Sequence, residues 1–360
     1  DATLIERMGA AGAVLVGAVN MGEYAYDFTG ENAHDGASLN PHDPSRMSGG
    51  SSGGSGTSVA AGMAALSLGS DTNGSIRVPA SFCGLYGLKP TFGRLSRART
   101  FPFVHSLDHL GPLARSPRDL ALVLDALQGP DADDPALIGR PAVAAVADLR
   151  RGVGDLRIAV AGGYFRNGAG PEALAAVAHV AGALGAAREV EIPIAAAARA
   201  AAYLITTSES SALHLDRLRS RAGDFDPDTR DRFLSGAMVP AAWYLSAQRL
   251  RAAAKAAFAS LFETVDVILA PATPFPALKS GTRTVEIGGA TLPARPNIGI
   301  FTQPISFVGL PVVAVPVWLP GAALPIGVQV VAPAWREDIA LRVAEALHQS
   351  GATSAPVAQT

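Results

Sequence analysis

The sequence predicts an α/β domain: a many-stranded, mostly buried sheet covered by helices. Three observations carry this. Hydrophobic residues make up 49% of the 360 residues and charged ones only 17%, with 38 glycines and 26 prolines, the balance of a sheet buried on its faces. Short β-rich apolar runs alternate with longer Ala-rich helical stretches, as in β-α-β units. No internal repeat interrupts the alternation, so one domain is expected, with a helical insertion around 165–260.

Asp1–Ala11 reads as an N-capped amphipathic helix. Ala13–Gly17 is expected as a buried strand. Asn20–Pro44 lacks periodicity and reads as a long loop. Ser48–Ser55 is a Gly/Ser run, followed by helical Thr57–Leu66, a short strand Leu66–Ser70, a turn Asp71–Arg77 and a helix near Pro79–Cys83. Leu120–Leu127 is helical, with a Gly129-Pro130 stop, and Asp131–Leu149 is a connector. Strands are expected at Leu156–Ala161, Arg188–Ile192, Val265–Ala270, Pro311–Val317 and Ile326–Val331. Helices are expected at Glu172–Leu184, Ala195–Leu213, Ala241–Phe262 and Ile339–Gln349.

Composition excludes several classes. A net charge of −2 is not the basic footprint of a nucleic-acid binder. The longest apolar runs fall short of the roughly 20 residues of a membrane-spanning helix. No Cys/His spacing points to a metal, and no cofactor is expected. The lone Cys83 cannot form an internal disulfide, which fits a cytoplasmic protein. It reads as a buried small residue rather than a nucleophile. Of the 29 basic residues only three are lysines: Lys89, Lys255 and Lys279.

Chemistry concentrates in two loops, Gly49-Gly50-Ser51-Ser52-Gly53-Gly54-Ser55 and Ser70-Asp71-Thr72-Asn73-Gly74-Ser75-Ile76-Arg77. A helix over Gly54–Ala64 advances about 16 Å, and a strand over Ala65–Ser70 returns roughly 20 Å. The two loops can therefore meet, with two serine hydroxyls and a Gly-rich backbone in one pocket. Those parts suit acyl transfer, which needs an activated nucleophile and preorganised donors for an oxyanion.

The stretch Gly49–Gly93 resembles the signature of the amidase-signature hydrolases. The similarity extends to Asn20-Met21-Gly22-Glu23-Tyr24, Asp108-His109-Leu110-Gly111-Pro112, Gly309-Leu310-Pro311 and Leu324-Pro325-Ile326-Gly327-Val328-Gln329. It implies the fold of that family, a single large mixed β-sheet covered by helices on both faces, with the signature core at 45–95. It also implies a Ser-Ser-Lys triad. Ser75 would be the nucleophile, and Ser51, preceded by a cis peptide bond, the bridging serine. Ser52 would support them, and the backbone of Thr72, Asn73, Gly74 and Ser75 would form the oxyanion hole. Asp71 and Arg77 either hold the nucleophile loop or meet substrate. Met21, Tyr24, Thr302 and Gln303 are further pocket candidates. His109 reads as a structural hydrogen-bonding histidine, and Arg217–Arg232 as a solvated helix face.

The family's triad lysine lies upstream of the bridging serine, at a position that falls before Asp1. Lys89 belongs to the structural part of the signature, Lys255 to an outer-looking helix and Lys279 to a Pro-rich loop. The chain is therefore expected to be an N-terminally truncated piece of an enzyme or, alternatively, a natively short inactive protein. Within the family it is most similar to amidohydrolases of carboxybiuret and related small urea-type amides, through Asn20–Asn32, Asp71–Pro79, Phe301–Ser306 and Pro333–Asp338. Asn73 stands where most members carry Gly. It reads either as a substrate contact or as a turn residue tolerating an unusual backbone angle. The alternatives are the glutaminase subunit of a tRNA-dependent amidotransferase and an inactive subunit that retains the fold. Partners implied by the resemblance are a small amide substrate, a second copy in a homodimer and a small helical partner subunit.

Overall fold

The computed structural model describes residues 1–359. Eight strands form the main sheet: β1 (Leu66–Asp71), β2 (Tyr86–Lys89), β3 (His109–Ala114), β4 (Ile158–Ala161), β5 (Arg188–Val190), β6 (Val267–Pro271), β7 (Val312–Val317) and β8 (Ile326–Val331). Their spatial order is β1-β3-β2-β7-β8-β6-β4-β5. Pairs from β1 to β6 are antiparallel, and β6-β4 and β4-β5 are parallel, so the sheet is mixed. Strands β6, β7 and β8 are buried at every residue, which is why, Gln329 apart, they read as apolar runs rather than as alternations.

The chain opens with helix α1 (Thr3–Ala10), which has no side-chain cap, and helices cover both faces of the sheet. On one, α4 (Pro117–Leu127), α5 (Pro171–Ala183) and α10 (Glu337–Gln349) pack Leu120, Val177 and Leu341 against Leu88, Val313 and Val330. On the other lie α2 (Gly53–Ala60), α3 (Arg77–Cys83), α6 (Ala195–Arg221), α8 (Ala241–Leu261) and α9 (Gln303–Val308). There Ile205, Phe258 and Phe307 meet Ile268 and Val312, while Val59 and Ala80 meet Leu113 and Ala314. Helix α4 starts on a Ser116 side chain that accepts from the Asp119 amide, with Pro117 at its first position, a strong start signal. The shorter α7 (Pro227–Gly236) repeats it with Asp226 and Pro227. No helix among the described residues is long and apolar enough to cross a membrane.

Three expectations need correction. Ala13–Gly17 forms no strand. Val14, Leu15 and Val16 are 83%, 68% and 79% exposed, and none of their amides bonds to a backbone carbonyl among the described residues. An apolar run becomes a strand only where a neighbour takes up its N–H and C=O groups. Second, β2 and β3 are strands that the apolar pattern does not announce. Third, α2 begins at Gly53, inside the Gly/Ser run, so part of that run is helix rather than loop.

Candidate active site

The site lies at one edge of the sheet, where β1 runs into the turn before α3. The two serine loops meet there. The Ser52 amide donates to the Ser75 carbonyl at 3.3 Å. The Ser52 hydroxyl donates to the Ser70 carbonyl at 3.2 Å and accepts from the Ser70 amide at 3.1 Å. Ser52 is thus a tie between loops. The Gly50–Ser51 peptide bond is cis. Ser51 is fully buried, and its hydroxyl has no hydrogen-bond partner among the described residues.

Ser75 opens on a small cavity together with Thr72 and Asn73. The amides of Asn73, Gly74 and Ser75 donate to no backbone acceptor among the described residues, which leaves a cluster of free donors beside the Ser75 hydroxyl. Gly74 makes this turn possible. Its φ is +147°, and a Cβ there would lie 2.2 Å from Thr302 Oγ1. Thr302 Oγ1 donates to the Asn73 carbonyl at 2.7 Å, holding the turn from behind. The Thr72 hydroxyl donates to Asp108 at 2.6 Å, and Asp108 also accepts from the Phe103 and Val104 amides, each at 2.8 Å. Burial pushes the Asp108 carboxyl up despite these bonds.

Asp71 and Arg77 are fully buried under the turn and grip each other with two 2.9 Å bonds. Arg77 also donates to the Thr302 carbonyl at 3.1 Å and to Gln329 and Ser306. Burial pushes the Asp71 carboxyl up, but the Arg77 guanidinium outweighs it and holds the carboxyl at about 2. Neither side chain reaches the cavity, so both hold the loop. His109 Nδ1 lies 3.0 Å from the Asp71 carbonyl, and its other nitrogen is buried without a partner among the described residues. Burial, then the nearby Lys89, draws its pKa well below the usual value.

The pocket candidates separate. Gln303 lines the Ser75 cavity, where its Oε1 accepts from Arg199 at 2.8 Å. Thr302 is buried behind the turn and does not line it. Met21 and Tyr24 line a different and larger cavity of about 660 Å³, beside Ser52, Ser55 and Arg97. The larger cavity is therefore not the one that holds Ser75; the serine hydroxyl and free amides make the smaller one, of about 20 Å³, the candidate site. Asn73 has no positive φ, so backbone tolerance does not account for it. Its Nδ2 donates to Thr206 Oγ1 at 2.9 Å.

Among the cavity residues that escape a reading of the sequence are Phe103, Tyr203, Thr206 and Arg232. Tyr203 and Thr206 stand three apart on α6, hence on one helix face, which is the only local signal for them. Arg232, on α7, is not merely solvated. It donates to the Tyr26 carbonyl at 2.8 Å, and its guanidinium carbon lies 3.5 Å from the Tyr26 ring centroid. No carboxylate pairs with it among the described residues. Burial raises the Tyr26 hydroxyl to about 12, although Arg232 pulls the other way.

None of the three lysines hydrogen-bonds to the Ser51 hydroxyl. Lys89 is buried and donates to the carbonyls of Pro90, at 3.0 Å, and Leu310. Burial and then Arg77 draw its pKa well down. Lys255 and Lys279 are exposed. Cys83 is buried, with its Sγ 3.3 Å from the Ser48 carbonyl, and burial pushes its thiol up.

A serine pair with free amides at the edge of a mixed sheet is an arrangement suited to acyl transfer. The chain belongs to the amidase family, whose pattern it matches over residues 1–341. It is 54% identical to AtzE, the 1-carboxybiuret hydrolase subunit of Pseudomonas sp. (strain ADP), over 98% of this chain and 77% of that protein. It is 38% identical to a glutamyl-tRNA(Gln) amidotransferase subunit of Koribacter versatilis (strain Ellin345), over 97% and 78%. A solved structure from a vestigial protein complex of an s-triazine catabolic enzyme superposes with a TM-score of 0.97 at 54% identity, over 98% of this chain and 78% of that one. The corresponding glutamyl-tRNA(Gln) amidotransferase subunit of Thermotoga maritima superposes at 0.85 with 30% identity, over 100% and 80%.

Proposed function

We propose that this chain carries the nucleophile half of an enzyme that hydrolyses a small anionic urea-type amide, carboxybiuret or a near relative. The observation that carries it is Arg232, a cation with no acidic partner among the described residues, in the same cavity as Ser75. A guanidinium so placed is suited to a substrate carboxylate, and the 54% identical relative is a carboxybiuret hydrolase subunit.

In this proposal the Ser75 hydroxyl attacks the amide carbonyl. The amides of Asn73, Gly74 and Ser75 stabilise the oxyanion. The Ser75 proton passes to Ser51, and the Ser51 proton to a lysine. That lysine then protonates the departing amine. The C–N bond breaks, and water hydrolyses the Ser75 acyl ester. The unpartnered Ser51 hydroxyl supports its role as the relay. The base is assigned to a lysine outside these 360 residues, because Lys89 is committed to two carbonyls and the other two are exposed. Association with a small helical subunit or a second copy, and a cytoplasmic setting, belong to the same proposal.

The test is ammonia release by the protein extended with its native upstream sequence, on carboxybiuret, biuret, allophanate, malonamate, glutamine and simple aliphatic amides. Turnover of carboxybiuret, abolished in Ser75→Ala, is the expected result. Turnover of only glutamine or of only aliphatic amides would overturn the substrate assignment.

A further inference from the structure

Asn73 occupies an unusual position. It lines the cavity that holds Ser75, yet it is only 9% exposed. Its backbone is fixed, because Thr302 Oγ1 donates to its carbonyl at 2.7 Å. One end of its side chain is also fixed, because Nδ2 donates to Thr206 Oγ1 at 2.9 Å. The other end, Oδ1, is buried and has no donor among the described residues. Buried carbonyl oxygens are rarely left unpaired in a native structure, and each exception calls for an explanation. Here the neighbourhood holds the nucleophile and its free amides, so a substrate donor is the natural occupant.

We propose that Asn73 determines specificity by accepting, through Oδ1, an N–H group on the acyl side of the scissile carbonyl. Thr206, whose hydroxyl accepts from Nδ2 in this structure, is the positioning residue that leaves Oδ1 turned to the substrate. The class selected is the urea-type amide, which carries nitrogen on both sides of the carbonyl. Amides with a CH₂ at that position leave Oδ1 unpaired and are disfavoured. The proposal rests on the functional reading above and adds the group that separates urea-type from carbon-linked amides. A site that hydrogen-bonds one substrate group discriminates against the analogue lacking it more strongly than apolar contacts do.

The test uses allophanate and malonamate, two anions that differ in one N–H against one CH₂. Each is measured as a competitor of carboxybiuret turnover by the protein with its native upstream sequence. The wild type is expected to bind allophanate at least about tenfold more tightly than malonamate. Asn73→Gly should bring the two within about threefold by weakening allophanate alone, and Thr206→Val should give an intermediate ratio. A wild type that does not discriminate, or an Asn73→Gly protein that keeps the full ratio, overturns the proposal while leaving the functional reading intact. No turnover of carboxybiuret at all overturns that reading, and this proposal with it.

Discussion

Arg77 holds both carboxylate oxygens of Asp71, Nε on one and Nη2 on the other, each at 2.9 Å, with neither side chain exposed. The pair joins the last residue of β1 to the first turn of α3, so it clamps both ends of the loop that carries Ser75. Removing one partner leaves an uncompensated buried charge. Arg77→Met should therefore cost about 3–5 kcal/mol, read as a lowered midpoint in urea unfolding. The pH dependence follows from Asp71, whose folded pKa, about 2, lies below the usual 3.8. A depressed carboxyl stabilises the fold above its ordinary value, and that stability is lost as pH falls through its folded value. Roughly 2 kcal/mol should disappear between about pH 4 and pH 2 in the wild type. The slope should be shallower in Asp71→Asn.

Gly74 and Thr302 are packed so closely that a Cβ at residue 74 would meet Thr302 Oγ1 at 2.2 Å. Gly74→Ala must push the turn off Thr302 and re-aim the free amides. A misplacement of this kind costs about 10²-fold in rate. Steady-state kinetics of the extended protein should show the loss in kcat, with thermal stability changed far less than in Arg77→Met.

Arg232 makes a different prediction, because the proposed function has it bind substrate rather than position the loop. Arg232→Gln should raise KM for an anionic urea-type amide by about ten- to a hundredfold, on the scale of a lost charge-assisted bond. Turnover of neutral biuret should be nearly unchanged. An equal loss on both compounds would mean that the guanidinium only supports Tyr26.

Much of the sheet is legible in the sequence because its central strands are buried on both faces. Val312–Val317 and Ile326–Val331 announce themselves as Val- and Ile-rich runs despite Pro316, Gly327 and Gln329. Strands β2 and β3 do not, because Tyr-Gly-Leu-Lys and His-Leu-Gly-Pro-Leu-Ala contain residues that locally disfavour strands. Their glycines answer to tertiary packing instead: a Cβ on Gly111 would lie 2.1 Å from the Leu88 carbonyl, and one on Gly87 would lie 2.9 Å from Ala80 Cβ. The serine loops are legible because their spacing is local. Arg232 and Thr206 are not, since they reach Ser75 from helices more than 130 residues away along the chain. A charged stretch gives no sign of which arginine turns inward. Val14–Val16 shows the converse failure: strand-like sequence remains irregular where no neighbouring backbone receives it.

Cys83 provides a control. It is buried, and its thiol is pushed up by that burial, so it should be inert. Thiol-reactive dye should label the native protein negligibly and label one site per chain only after unfolding. Cys83→Ala should retain wild-type kcat.

The central claim is that Ser75 is the acylated residue, and covalent trapping tests it most directly. The protein with its native upstream sequence would be treated with a serine-reactive fluorophosphonate, digested and mapped by mass spectrometry. The expected result is a single adduct on Ser75, prevented by excess carboxybiuret and absent in Ser75→Ala. An adduct on another serine, or wild-type turnover of carboxybiuret by Ser75→Ala, would contradict the account.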